Sequence, residues 1–132
     1  MDFGLSNEQQ MIIDSVKSFV EKELYPHEDE VEKSNKIEDS VVEKIKQKAI
    51  ESGIYACNMP EMHGGGGLDT LTLCLLEKEL GKANFGLQYI VARPSNILLA
   101  CKGSQVDNYL LPTIRGEKVD CLAMTEPNAG SD

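Results

Sequence analysis

The residues best suited to chemistry lie at positions 122–132, LAMTEPNAGSD. An apolar run there leads to the Thr125 hydroxyl, Pro127 fixes the backbone, and the small residues that follow form a turn with free amides. Such a turn can bring several N–H groups onto an anion or onto the carbonyls of a heterocycle. Composition alone would make the same stretch an ordinary surface turn. Glu126 and Asp132 fall within it and invite reading as a pair of catalytic carboxylates. Elsewhere the reactive residue types are scattered. His27 and His63 are isolated and are expected in a loop or on the surface. Cys57, Cys74, Cys101 and Cys121 form no C-x-x-C pair and have no histidine pair to complete a zinc site, so buried free thiols are expected. Four glycines, residues 64–67, follow Pro60 in a loop of unusual backbone freedom, which suits close passage by a ligand or a neighbouring chain. That loop lacks the G-K-[ST] ending of a phosphate loop and has no strand before it.

The elements that would position these residues are mostly helical. Ser6 and Gln9 have capping-box spacing, and Met11, Ile12, Val16, Phe19, Val20 and Leu24 recur as the apolar stripe of a helix over residues 7–24. Asp14, Lys17, Glu21 and Lys22 occupy its solvated face. Pro26 is tolerable in a first helical turn, and HEDEVEKSNK after it is a short exposed helix or loop. Asp39 or Ser40 caps the next helix, whose apolar side is Val41, Val42, Ile45, Ala49 and Ile50 and which Gly53 ends. Residues 70–80 form a central helix through Leu71, Leu75, Leu76 and Leu80. Two helical pieces then meet near Arg93 and Pro94. Residues 104–111 are a short helix stopped by Pro112, TIRGEK is a turn, and residues 119–125 are the one strand. The sum is an all-α bundle of five or six helices, over residues 1–117, followed at 118–132 by the first strand of a β-domain. A lone strand cannot satisfy its own backbone, so the β-domain is expected to be truncated.

Lysine and arginine number 13 against 22 aspartates and glutamates, a net charge of −9, in a chain of 132 residues that is 41% hydrophobic. A nucleic-acid binder would need clustered Lys and Arg, and no basic run occurs. No apolar stretch approaches the roughly 20 residues of a membrane span, and the start MDFGLSNEQQ has no signal-peptide pattern. A cytoplasmic protein is expected.

The string MTEPNAGSD resembles the flavin-binding signature of the acyl-CoA dehydrogenase family, and features before it fall in that family's order. These are the opening MDFGLSNEQ, the turn SGIY, the loop PEMHGGGGLD, the helix ending LEKELGK and the segment YLLPTIRGE. The likeness covers essentially the whole chain. It implies the N-terminal helical domain of an oxidoreductase subunit that also has a middle β-domain and a C-terminal helical bundle. Such a subunit holds FAD and, in fatty acid metabolism, oxidises an acyl-CoA thioester between its α and β carbons. Electrons then pass to electron-transfer flavoprotein, and the full-length subunits are commonly tetramers.

By the same resemblance, Leu122, Met124 and Thr125 match positions along the flavin ring. Gly130 and Ser131 match positions reaching toward the pyrophosphate, with Ser131 also at the substrate's entrance. The catalytic base is expected beyond residue 132, so the chain alone would be inactive, and Glu126 and Asp132 are assigned to holding the turn's backbone. Gln88, Tyr89 and Val91 are either a wall of the acyl pocket or ordinary core. ARPSN departs from the family's more regular helix, and Arg93 there either binds a polar acyl group or, the favoured reading, snorkels to solvent. An acyl-CoA oxidase, which hands electrons to oxygen, and a non-catalytic helical binding module are the alternatives.

Overall fold

The computed structural model describes residues 4–92, 94–121, 123 and 125–130. Helix α1 (Asn7–Phe19) begins at the expected capping box. Gln9 N donates to the Ser6 hydroxyl at 3.1 Å, and Ser6 N donates back to the Gln9 side chain at 3.0 Å. A cap of this kind contributes about 1 kcal/mol. Val16, Phe19, Val20 and Leu24 are buried, whereas Met11, expected with them, is 70% exposed. It falls one residue before the buried stripe, and a helical step of 100° turns it off the core.

The helix does not end at Leu24. It widens into a π turn, Val20–Leu24, and resumes as α2 (Tyr25–Ser34), which buries none of its residues. Pro26 explains the widening: in α register its ring would press on the carbonyl four residues back and leave it without a donor. Tyr25 N instead reaches Val20 O. The device recurs at Pro112, which does not stop its helix as the sequence reading expected. A π turn, Val106–Leu110, precedes it, and α6 (Leu111–Ile114) runs through it. The Asn108 carbonyl that Pro112 cannot serve accepts a bond from Lys118 Nζ at 2.7 Å. TIRGEK is accordingly helix first and turn second.

Helix α3 (Asp39–Glu51) starts one residue earlier than expected, with Glu38 at the cap position and no side-chain cap bond. Helix α4 (Thr70–Leu80) is capped by Asp69, whose carboxylate accepts from Leu71 N, Thr72 N and the Thr72 hydroxyl. Those bonds, the hydroxyl's foremost, hold the Asp69 carboxyl below the usual carboxylate range. Thr72 Oγ1 also accepts from Gln9 Nε2 at 3.3 Å, which ties α4 to α1. Leu76 and Leu80 of α4 are buried, but Leu71 points out. Helix α5 (Phe85–Val91) packs on α3 and is capped by Asn84, itself anchored to Glu28 and Glu32 of α2. After the expected break at Pro94 comes a 3-10 turn, Asn96–Ala100. Among the described residues of 119–125 no strand forms, because a single strand has no neighbour to bond with.

The glycine loop closes on its own chain. Gly65 N, Gly66 N, Gly67 N and Leu68 N donate to the carbonyls of Pro60, Ala56, Met59 and Cys57 at 2.8–3.1 Å. These amides are spent inside the fold, which removes the ligand-cradle reading. Gly65 must be glycine, since a Cβ there would lie 2.2 Å from Met59 O. Gly65→Ala is therefore expected to cost about 3 kcal/mol in denaturant unfolding. Gly53→Ala, at φ +71° with nothing within 4 Å, should cost only about 1 kcal/mol. Equal losses at both positions would refute the close-packing account.

Candidate functional site

Helix α4, the end of α5 and the segment after α3 enclose a cleft of about 260 Å³. Its floor is apolar, built from Ile54, Leu76, Leu80 and Val91, all buried, with half-buried Leu73 beside them. Its rim is polar: Asn58, Glu77, Ser95 and Asn96. Asn58 Nδ2 donates to Pro94 O at 2.8 Å and to Asn96 Oδ1 at 2.7 Å, so one side chain fixes the chain reversal that walls the cleft. Ser95 N donates in turn to Asp120 Oδ2 at 3.2 Å. A small apolar floor beneath a broad polar rim suits a ligand with both an apolar and a polar part.

A second hollow, about 480 Å³, runs between α1 and α4 on the other side of Ile54 and Cys57. Met11, Ile12, Val16, Leu68 and Leu76 make it mainly apolar, with Glu8 and Ser15 among its polar members. Cys57 lies between the two hollows and is buried, while Cys74 and Cys121 are exposed and Cys101 is half-buried; all four are free. The expectation of buried thiols thus holds for Cys57 alone. Burial, helped by the nearby Glu77 charge, pushes the Cys57 thiol up to about 11, so it stays protonated and offers no nucleophile. Among the described residues no group of three His, Cys, Asp or Glu could hold a metal ion.

The residues expected to act are dispersed. Thr125 and Gly130 are exposed on the irregular segment after Asp120, and Leu122, Met124 and Ser131 lie outside the described residues, as does Arg93. Asp132 is outside them too. The turn after Thr125 is closed by the Glu126 main chain, which accepts from Ala129 N at 3.4 Å. Val91 does line the cleft; Gln88 and Tyr89 do not. Tyr89 is 43% exposed and packs its ring on Phe85 at 5.7 Å between centroids. His27 and His63 are half-buried, on α2 and in a 3-10 turn, Glu61–His63. Asn58 and Asp120 escaped the sequence reading because their partners stand 36 to 38 and 25 residues away, beyond any local pattern.

Residues 6–117 match the sequence model of the acyl-CoA dehydrogenase N-terminal domain. The chain belongs to the acyl-CoA dehydrogenase family. Within that family it is 34% identical, over its full length, to the probable acyl-CoA dehydrogenase YngJ of Bacillus subtilis. Its fold is similar to a chain in a solved structure of the electron transferring flavoprotein of Acidaminococcus fermentans. There the TM-score is 0.78 and the identity 33%, over 99% of the present chain. It is likewise similar to butyryl-CoA dehydrogenase from Megasphaera elsdenii, with a TM-score of 0.74 and 28% identity over 98% of the chain. The chain spans about 35% of the length of each of these relatives.

The Cys57 shift fixes a pH dependence. Its folded pKa stands above the unfolded value of 9.0, so the buried thiol's contribution is complete below pH 9 and falls away as pH rises towards about 11. At pH 8 a thiol reagent should label Cys74 and Cys121 to completion before it touches Cys57. Prompt labelling of Cys57 in the folded chain would overturn that assignment.

Proposed function

We propose that this chain is the N-terminal portion of an FAD-dependent acyl-CoA dehydrogenase, which oxidises an acyl-CoA thioester to its α,β-enoyl-CoA. The observation that carries the reading is the cleft walled by Val91 and Pro94, apolar below and polar at its rim, reached by the segment that leads into the flavin-binding signature. Residues 1–117 are assigned to the helical domain and 118–132 to the start of the middle β-domain. The end of the last described helix at Ile114, a few residues earlier, supports that boundary.

The described part of the signature fits a flavin. Thr125 and residues 126–130 are exposed, and the turn there consumes one amide, that of Ala129, which leaves a hydroxyl and small-residue backbone to face a flat polar ring. Leu122, Met124, Thr125, Gly130 and Ser131 are proposed to hold FAD, with Ser131, Gln88 and Tyr89 beside the substrate. When bound, the flavin supplies the acceptor for the substrate's β-hydride. The chain's own residues bind and orient. Ile54, Leu76 and Val91 take the acyl tail out of water, which at roughly 0.8 kcal/mol per buried CH₂ accounts for a useful part of substrate affinity. No described group is placed as the base, whose pKa would have to suit removal of an α-proton, so that group is assigned to the part of the subunit beyond residue 132.

Electrons are proposed to leave to electron-transfer flavoprotein, and full-length subunits to assemble as tetramers. The hollow between α1 and α4 is the described surface best suited to the redox partner, since it presents Met11 and other apolar groups on an otherwise acidic molecule. Free thiols at all four cysteines support a reducing compartment such as the cytoplasm. No helix among the described residues is long and apolar enough to cross a membrane.

The test is the full-length protein. Anaerobic addition of a straight-chain acyl-CoA should bleach its flavin absorbance and yield the enoyl product, and peroxide formation at a matching rate in air would make it an oxidase instead. No bleaching with any acyl-CoA would defeat the proposal. In the same protein, Met11→Lys should lower the ratio of partner-coupled to dye-coupled turnover about tenfold, which corresponds to the loss of roughly 1.4 kcal/mol at the contact. An unchanged ratio would move the partner to another face.

A further inference from the structure

The wall of the cleft and the segment leading to the signature are joined by a chain of hydrogen bonds that neither hollow explains. Asn58 Nδ2 holds Pro94 O and Asn96 Oδ1, and between those two residues Ser95 N holds Asp120 Oδ2. Pro94 is among the most fully buried residues, and its carbonyl takes no part in a helix. The Asn58 amide therefore supplies a donor that the break in the helix would otherwise lack. Asp120 stands two residues before Leu122, in a stretch with no regular structure to hold it. From these contacts we infer that Asn58 and Asp120 are positioning residues that fix the spacing between the acyl-binding wall and the flavin-binding segment. Through that spacing they set which acyl lengths place their reacting carbons correctly. The inference rests on the function proposed above, and adds to it two residues outside the signature.

Geometry gives each residue its own consequence. Loss of the Asn58 amide frees residues 94–96, so the end of the cleft relaxes and discrimination against longer chains falls. Loss of the Asp120 carboxylate frees the segment and not the wall, so flavin retention weakens while the cleft keeps its form. Asp120→Asn retains a carbonyl oxygen that can accept from Ser95 N, and should keep more of the wild-type behaviour than Asp120→Ala.

The experiment uses the full-length protein with Asn58→Ala, Asp120→Ala and Asp120→Asn. It measures kcat and KM on straight-chain acyl-CoA substrates of increasing length, and separately the dissociation of FAD from each protein by fluorescence. Asn58→Ala is expected to raise KM about fivefold for the preferred substrate and to flatten the length profile, with kcat less affected. Asp120→Ala is expected to release FAD about tenfold more readily, with Asp120→Asn falling between it and the wild type. An unchanged length profile and unchanged FAD binding in both alanine variants would overturn the inference while leaving the function standing. Should the wild type bind FAD yet oxidise no acyl-CoA, the proposed function fails and the FAD arm alone decides Asp120, with Asn58 losing its role. Should it bind neither, both proposals fall together.

Discussion

Residues 54–59 run through the core without forming a helix or strand, and every one is buried or half-buried. Buried backbone must find partners for its polar groups, and here they come from α3 and from the glycine loop. Ile54 N and Tyr55 N share the Ala49 carbonyl at the end of α3, and the glycine loop donates to the carbonyls of Ala56, Cys57 and Met59. The Tyr55 hydroxyl reaches Thr113 O at 3.2 Å, which draws in the last helix. Ala56 sits at φ +56°, a left-handed conformation that costs about 1 kcal/mol without glycine and persists because its carbonyl receives both Met59 N and Gly66 N. Both hollows open on this stretch. Ile54 and Cys57 line each of them, so the satisfaction of one irregular segment shapes two surfaces at once.

The prolines obey a related constraint. At Pro26 and at Pro112 the missing N–H and the ring would strand a carbonyl one turn back, and in both places the helix answers with a π turn. At Pro112 the released carbonyl has a named acceptor role for Lys118, whose ammonium also lies 5.3 Å from the centre of the Tyr109 ring. Pro94, by contrast, interrupts its helix outright. There the chain reverses, and it is the reversal that provides the cleft with a wall. Three prolines thus have two results, a widened helix at Pro26 and Pro112 and a broken one at Pro94.

What the sequence made legible follows from the range of the interactions involved. The capping box at Ser6 and Gln9, the span of α4 and the break at Pro94 depend on neighbours within a few residues, and each stands where its pattern puts it. Met11 and Leu71 read as core residues because they are apolar and nearly in phase, but a phase difference of one residue decides exposure on a helix. The helix through Pro112 was illegible because its continuation depends on Lys118, ten residues from Asn108. The glycine loop is legible as unusual backbone, but its close approach to its own chain is not. Its close neighbours, Cys57 and Met59, lie just upstream in the sequence, yet nothing in their types reveals that a chain must pass within van der Waals contact of them. Likewise the string TEPNAGSD identified a family at once, while Asn58, which organises the cleft, carried no local sign.

The separation of binding from chemistry follows from the same buried segment. A group meant to take or give a proton near neutral pH needs both partial burial and a partner that stabilises one of its states. Cys57 has the burial, but its surroundings favour the protonated thiol and Glu77 reinforces that preference, so the one reactive side chain between the hollows is held inert. Asp69, whose carboxyl is lowered chiefly by the Thr72 hydroxyl, is committed to capping α4. Every described group with a displaced proton equilibrium is therefore already occupied by structure. The apolar floor beside Cys57 is thus bordered by a thiol held protonated, a setting suited to desolvating a chain rather than to reacting with it.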